Sequence, residues 1–303
     1  MNPLVEKIRR LKKEKEAIIL AHNYQLPEVQ DIADFLGDSL GLSIKASQTP
    51  AKMIVFCGVY FMAETAKILS PDKTVLIPDK DAGCPMADMI TASQLKKLKQ
   101  NYPQAKVLSY VNTPAEVKAE SDFACTSANA VKMVNSALKD EEEIIFVPDK
   151  YLASYVTSQT GKKFILWEGY CPSHIEILAE DILNKKRFYP QAEVLVHPEC
   201  REEAISLADK VLSTEGMCSY VKSSSSEEFI IGTESGIIHR LKKENPDKKF
   251  YPASEEAVCP GMKRINLEKV LWSLENEEYK VELPPEIIKK ARLSIERMIN
   301  CAD

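Results

Sequence analysis

The sequence predicts an α/β protein of three repeated αβα units, each carrying a small four-stranded parallel sheet. Three observations predict it. The dipeptide Cys-Pro occurs at Cys84-Pro85, Cys171-Pro172 and Cys259-Pro260, in steps of 87 and 88 residues. A second set keeps the same spacing: Asp34-Phe-Leu-Gly-Asp-Ser39 aligns with Asp122-Phe-Ala-Cys-Thr-Ser127 and with Asp209-Lys-Val-Leu-Ser-Thr214. Between these markers, strand-length runs alternate with helical patterns. The runs are apolar throughout, as expected of parallel strands covered on both faces. A fixed period of this kind marks one folding unit per repeat.

The elements follow in order. Leu4, Val5, Ile8 and Leu11 stand at helical spacing and predict a helix over 4–15. An apolar strand over 17–21 then ends at His22-Asn23-Tyr24. The second repeat has a helix over 95–101 and a strand over 106–110 that runs into Val111-Asn112. The third has a helix over 175–186 and a strand over 193–196, ending at His197-Pro198-Glu199. Two of these junctions share Tyr-Pro-Gln-Ala, at 102–105 and 189–192. Each second strand closes on a hydroxyl, Ser39, Ser127 or Thr214, where a helix begins. Third strands are expected at 53–56, 143–147 and 228–231, and fourth strands at 74–77, 163–166 and 249–251. Each fourth strand leads to its Cys-Pro. The tail, 266–274 and 285–298, reads as helices packed back on the first repeat. The expected units are 1–84 with 260–303, then 85–171, then 172–259.

Composition narrows the function. The chain has 303 residues, 45% apolar and 28% charged, with a net charge of −5. That balance argues against a broad nucleic-acid surface. No apolar run reaches the ~18 residues of a membrane helix, and the start lacks a signal-peptide pattern. The expected location is cytoplasmic, where eight cysteines read as thiols or metal ligands rather than disulfides. No P-loop, Gly-x-Gly-x-x-Gly, Gly-x-Ser-x-Gly or His-Glu-x-x-His pattern occurs.

Ligands of parallel sheets bind at the carboxyl ends of strands. His22, Asn112, His197, Ser39, Ser127, Thr214, Cys84, Cys171 and Cys259 all fall there, so one ligand between three units can touch them all. Three equivalent thiols point to a shared metal centre. Soft sulfur selects an iron–sulfur cluster or zinc, and proline commonly follows a cluster cysteine. Three thiolates on a four-iron cluster leave one iron open as a Lewis acid; zinc with three thiolates is the rival. Cys57, Cys125, Cys200, Cys218 and Cys301 share no repeat position and read as incidental, and His239 reads as structural. His174, three residues after Cys171, faces the site or caps its own turn. His22 and His197 can hydrogen-bond carboxylates or move protons. Tyr24 and Glu199, two residues further on, are acid and base candidates. Tyr110 and Asn112 can bind carboxylates. Ser39, Ser127 and Thr214 suit helix capping singly and anion binding as a set.

With these residues in view, Ile18-Ile-Leu-Ala-His-Asn-Tyr-Gln25, Asp31-Ile-Ala-Asp34, Gly37-Asp38-Ser39, Phe61-Met-Ala-Glu64, Thr126-Ser-Ala-Asn129 and His197-Pro-Glu-Cys200 closely resemble the quinolinate synthase family over nearly the whole chain. The resemblance implies a pseudo-threefold arrangement of αβα domains around one [4Fe–4S] cluster. It implies condensation of iminoaspartate with dihydroxyacetone phosphate to quinolinate, releasing phosphate and water, for NAD synthesis. An aspartate oxidase or dehydrogenase would supply the iminoaspartate. Cys84, Cys171 and Cys259 would hold the cluster. His22, Ser39, Tyr110, Asn112, Ser127 and Thr214 would bind carboxylates and phosphate, while Tyr24, His197 and Glu199 would handle protons, assisted by His174. Tyr60, where relatives carry Asp, and Ser173 and Gly169-Tyr170 depart from the family pattern beside the site. Reductive dehydroxylation of an allylic diphosphate would need an electron donor and other motifs. A metal- or anion-binding module without catalysis is the third reading.

Overall fold

The computed structural model describes residues 2–301. The first repeat alternates α1 (Pro3–Glu14), β1 (Ala17–His22), α2 (Pro27–Ile32), β2 (Phe35–Gly37), α3 (Ser39–Gln48), β3 (Met53–Cys57), α4 (Tyr60–Leu69) and β4 (Thr74–Leu76). The second has α5 (Ala92–Asn101), β5 (Lys106–Tyr110), α6 (Ala115–Ala119), β6 (Phe123–Cys125), α7 (Ala130–Ser136), β7 (Ile144–Val147), α8 (Lys150–Thr160) and β8 (Ile165–Leu166). In the third come α9 (Pro172–Ile175), α10 (Ala179–Phe188), β9 (Glu193–Val196), α11 (Glu202–Ile205), β10 (Lys210–Val211), α12 (Thr214–Ser223), β11 (Glu228–Gly232), α13 (Ile237–Glu244) and β12 (Lys249–Pro252).

Each repeat builds its own four-stranded sheet, in the orders β2-β1-β3-β4, β6-β5-β7-β8 and β10-β9-β11-β12. Every strand pair in these sheets is parallel. The predicted α/β class with three small parallel sheets therefore holds. Sequence order reverses between the first and third strands of each sheet, which opens a crevice at their carboxyl ends. The third strands are buried centres: Phe56, Phe146 and Phe229 are each shut away from solvent. Each such side chain contributes roughly 1.5–3 kcal/mol of burial.

The second strands are only two or three residues long, and one aspartate before each anchors it. The N–H groups of Asp34, Asp122 and Asp209 donate to the carbonyls of Ile19, Val107 and Val194. Their carboxylates accept the N–H of the same three residues, each at 2.8 Å. This double clasp fixes the register. It delivers Ser39, Ser127 and Thr214, five residues on, to the carboxyl edge.

Two expectations change. The helix predicted over 175–186 is two pieces, because Asp181 folds back to accept the Leu178 N–H and starts α10 afresh. The tail forms α14 (Leu267–Asn276) and α15 (Pro285–Asn300), and α14 packs on α1 and β3 of the first repeat. By contrast α15 lies across the first and second repeats. Ser294 donates to the Lys118 carbonyl, Arg297 to the Asp122 carbonyl, and Asn129 to the Met298 carbonyl. Its apolar stripe was legible in the sequence, but the surface receiving that stripe was not. Among the described residues no helix is long and apolar enough to cross a membrane.

Candidate active site

The carboxyl ends of the three sheets face one another across a single cavity with about 640 Å3 of empty space, counting its mouth. The first repeat contributes His22, Tyr24, Ser39 and Cys84 to its wall. From the second come Tyr110, Asn112, Ser127 and Cys171, and from the third His174, His197, Glu199, Thr214 and Cys259. Every candidate residue read from the sequence therefore lines this one space. Among the described residues neither Lys nor Arg does.

The helix-start hydroxyls are not the caps. Asp38 caps α3 by accepting the Gly41 N–H at 2.8 Å, and Ser213 caps α12 by accepting the Gly216 N–H at 3.1 Å. Ser39 and Thr214 are thus the first helical residues, beside the positive end of the helix dipole. Ser127 precedes α7, where Asn129 ties the turn through the Thr126 N–H. Simple capping by the three hydroxyls is excluded.

The three cysteines share a local geometry that explains the proline. Each opens a short helical turn: Ala87–Met89, Pro172–Ile175 and Met262–Arg264 follow them. Proline lacks an N–H, so the next free amides aim at the sulfur. Cys84 takes them from Met86 and Ala87, Cys171 from His174, and Cys259 from Gly261 and Met262. These donors favour thiolate. Burial pushes all three thiols up, and the negative charge of Glu199 adds to this at Cys84 and Cys171. Desolvated sulfurs with amide donors and no cationic side chain on the wall fit a bound metal centre. Gly261 lets the first and third cysteine loops touch, since a Cβ there would fall 2.0 Å from the Gly83 carbonyl oxygen.

The thiols do not crowd a single point. Among the described residues, the one group of potential ligands within 4.8 Å of one another is Cys171, His174 and Glu199. Three thiolates on one zinc would stand about 3.8 Å apart, from Zn–S bonds of ~2.3 Å in a tetrahedron. Cys84, Cys171 and Cys259 together form no such close group.

A hydrogen-bonded chain crosses the cavity wall. The Tyr24 hydroxyl lies 2.5 Å from Thr233 Oγ1, which lies 2.9 Å from His174 Nε2. His174 Nδ1 stands 2.8 Å from Glu199 Oε2, and the Tyr110 hydroxyl donates to Glu199 Oε1. Burial favours the neutral acid at Glu199, but His174 and the Tyr110 hydrogen bond outweigh it and hold the carboxylate ionised. Burial and this nearby charge raise Tyr24 and Tyr110, so both phenols keep their protons.

The other two imidazoles are fixed as neutral donors. His22 Nδ1 accepts the Tyr24 N–H at 3.2 Å, and His197 Nδ1 accepts the Glu199 N–H at 3.3 Å. Each proton is thereby left on Nε2; that of His197 reaches Ser127 Oγ at 3.1 Å. Burial lowers both rings to about 3. Asn112 Oδ1 is buried without a hydrogen-bond partner, as expected where a ligand completes the set.

A family model described as quinolinate synthetase A protein, NadA, matches residues 6–300. The chain belongs to the quinolinate synthase family. Proteins named quinolinate synthase from Dehalococcoides mccartyi strain CBDB1 and from Methanosarcina barkeri are 58% and 54% identical to it. The first alignment covers 97% of this chain and 96% of the relative, the second 98% and 97%. A third quinolinate synthase, from Pyrobaculum aerophilum, is 51% identical over 99% of this chain and 100% of its own. Of the residues expected to depart from the family pattern, Tyr60 starts α4 outside the cavity lining. Ser173 lines the cavity and donates to the Val258 carbonyl at 3.1 Å. Gly169 lies so near Pro148 that a Cβ would come within 2.4 Å of its carbonyl oxygen.

Sequence reasoning missed the acids behind the cysteines. Glu234, wholly buried, accepts the Cys259 N–H at 3.1 Å and pairs with Lys263 at 2.7 Å. Asp149, equally buried, accepts the Tyr151 and Leu152 N–H groups on one oxygen at 2.8 and 2.9 Å, while its other oxygen has no hydrogen-bond partner. Each stands two residues beyond a third strand, a position that comparison of third-strand ends would have revealed. Thr233 and Asn23 were missed as well, since neither hydroxyl nor amide recurs at the repeat spacing.

Proposed function

We propose that this chain is a quinolinate synthase that condenses iminoaspartate with dihydroxyacetone phosphate, releasing phosphate and water. Cys84, Cys171 and Cys259 would hold a [4Fe–4S] cluster. When bound, that cluster supplies one open iron as a Lewis acid toward a substrate carboxylate, amine or hydroxyl. The observation that carries this reading is one amide-supported thiol from each repeat, all facing the cavity that also holds the proton chain.

The remaining roles follow from the residues themselves. His22, Ser39, Tyr110, Asn112, Ser127 and Thr214 bind carboxylates and phosphate through neutral hydrogen bonds and helix N-termini. A wall without Lys or Arg binds anions without ion-pairing them permanently, so phosphate can leave. Tyr24 holds a proton and donates it; Glu199 is ionised and accepts one. Thr233 and His174 link the two, so protons from carbonyl isomerisation, imine formation and dehydration move along one wall. Because its Nδ1 lone pair is occupied, His197 acts as a hydrogen-bond donor to Ser127 and the ligand more than as a carrier. The enclosing repeats keep water from an imine that hydrolyses readily. An aspartate oxidase or dehydrogenase in the same cytoplasm would supply it.

A single ion on Cys171, His174 and Glu199 is the second reading, favoured by their ligand atoms all lying within 4.8 Å of one another. It leaves Cys84 and Cys259 without a task. The test is quinolinate formation by anaerobically purified, cluster-loaded protein given dihydroxyacetone phosphate and freshly generated iminoaspartate, without an electron donor. Product that stops forming after exposure to air supports the proposal. No product from protein with a verified cluster refutes it.

A further inference from the structure

Asn23 lies in the turn after β1, between His22 and Tyr24 but outside the cavity lining, and is fully buried between the first and third repeats. Its Nδ2 donates to Thr214 Oγ1 at 3.0 Å, and its Oδ1 accepts from Arg240 Nη1 at 2.8 Å. Arg240 is held in turn: Glu215 takes Nη1 and Nη2 at 2.8 and 3.0 Å, and Glu244 takes Nε at 2.7 Å. Two carboxylates thus occupy this guanidinium, which leaves it an orienting group rather than a ligand for anions.

The hydrogen-bond directions along this chain are forced. Guanidinium only donates, so the Asn23 carbonyl oxygen must face Arg240. The amide end then faces Thr214, whose oxygen must accept. A threonine hydroxyl has one proton, and among the described residues no protein acceptor takes it. Thr214 lines the cavity, so its proton is free to reach a ligand there.

We propose that Asn23, fixed by Arg240, is a positioning residue that takes up one lone pair of Thr214 and leaves its proton for the cavity, so that this wall favours unprotonated oxyanions, carboxylate or phosphate. The identity of those anions rests on the quinolinate synthase reading; the hydrogen-bond direction does not. The arrangement also needs the first and third repeats in register, because Asn23 comes from one and Thr214 from the other.

The test is a double-mutant cycle read by calorimetric titration of anaerobic, cluster-loaded protein with quinolinate and with inorganic phosphate. Asn23→Asp keeps the size and the Arg240 contact but can only accept, so Thr214 must turn its proton away from the ligand. Asn23→Leu merely loosens the hydroxyl. Asn23→Asp is expected to weaken anion binding about tenfold, Asn23→Leu less, with iron per chain unchanged in both. In a Thr214→Val background the Asn23→Asp effect should shrink to about threefold or less. In turnover, KM rises more than kcat falls. The proposal is overturned if Asn23→Asp costs the same factor in both backgrounds, if Asn23→Leu is the more damaging, or if wild-type protein binds neither anion. Wild-type protein that binds both anions but forms no quinolinate would remove the reaction and leave the cycle readable.

Discussion

Glu199 lies at a junction of polar contacts on the cavity wall, with His174 and Tyr110 on its two oxygens and His197 nearby. Glu199→Gln removes the charge and keeps the shape. It is expected to retain full iron content while quinolinate formation falls at least about a hundredfold, the scale of a lost acid–base group. Iron analysis beside a product assay checks this, and wild-type rates would remove Glu199 from the chemistry. Gly236 makes a structural counterpart. A Cβ there would come within 2.6 Å of Lys263 Nζ, 2.8 Å of Glu234 Oε2 and 2.8 Å of the Tyr24 carbonyl. Gly236→Ala should therefore destabilise the fold by roughly 1–3 kcal/mol, and denaturant titration would show it. At this scale the sequence was informative wherever a residue recurred with the repeat, as the three cysteines and three hydroxyls do. It was silent where a contact joins different repeats, as Asn23 and Thr214 do.

At the scale of elements, the aspartate clasp carries a prediction of its own. Asp122→Ala leaves the Val107 N–H without its partner at 2.8 Å and frees a three-residue strand. A loss of about 1.5–3 kcal/mol is expected, the range for a hydrogen bond to a charged group, read as a lower denaturation midpoint. A second element-level contact depends on pH. Asp79, beyond β4, meets Lys269 at 2.6 Å and Arg264 at 3.2 Å, near the start of α14. Burial alone would raise its carboxyl, but the Lys269 hydrogen bond and both cations hold it below the usual range. The folded state then binds fewer protons than the unfolded state. Its stabilisation is present above the unfolded value near ~4 and is lost as pH falls through the lower folded value. Asp79→Asn should cost about 1 kcal/mol at neutral pH, with the gap from wild type closing in acid. Strand and helix order was legible because apolar runs and helical spacing are local. The partner of α15 was not, since a helix stripe names no surface.

For the whole molecule, buried ties between repeats matter more than any one sheet. Glu64 of the Phe61-Met-Ala-Glu64 motif accepts the Ala115 N–H at 3.0 Å and joins the first repeat to the second. His197 joins the third to the second through Ser127, and Asn23 joins the first to the third through Thr214. The cavity exists only where all three ties meet, which makes the central claim one of shared ownership: each repeat contributes one thiol to one centre. The most direct test is metal and sulfide content per chain of anaerobically prepared protein, wild type beside Cys84→Ala, Cys171→Ala and Cys259→Ala. The account predicts four irons and four sulfides in the wild type and loss of that cluster from all three variants, each still folded. One zinc per chain, kept in Cys84→Ala and Cys259→Ala but lost from Cys171→Ala, would contradict it and assign the metal to Cys171, His174 and Glu199 alone.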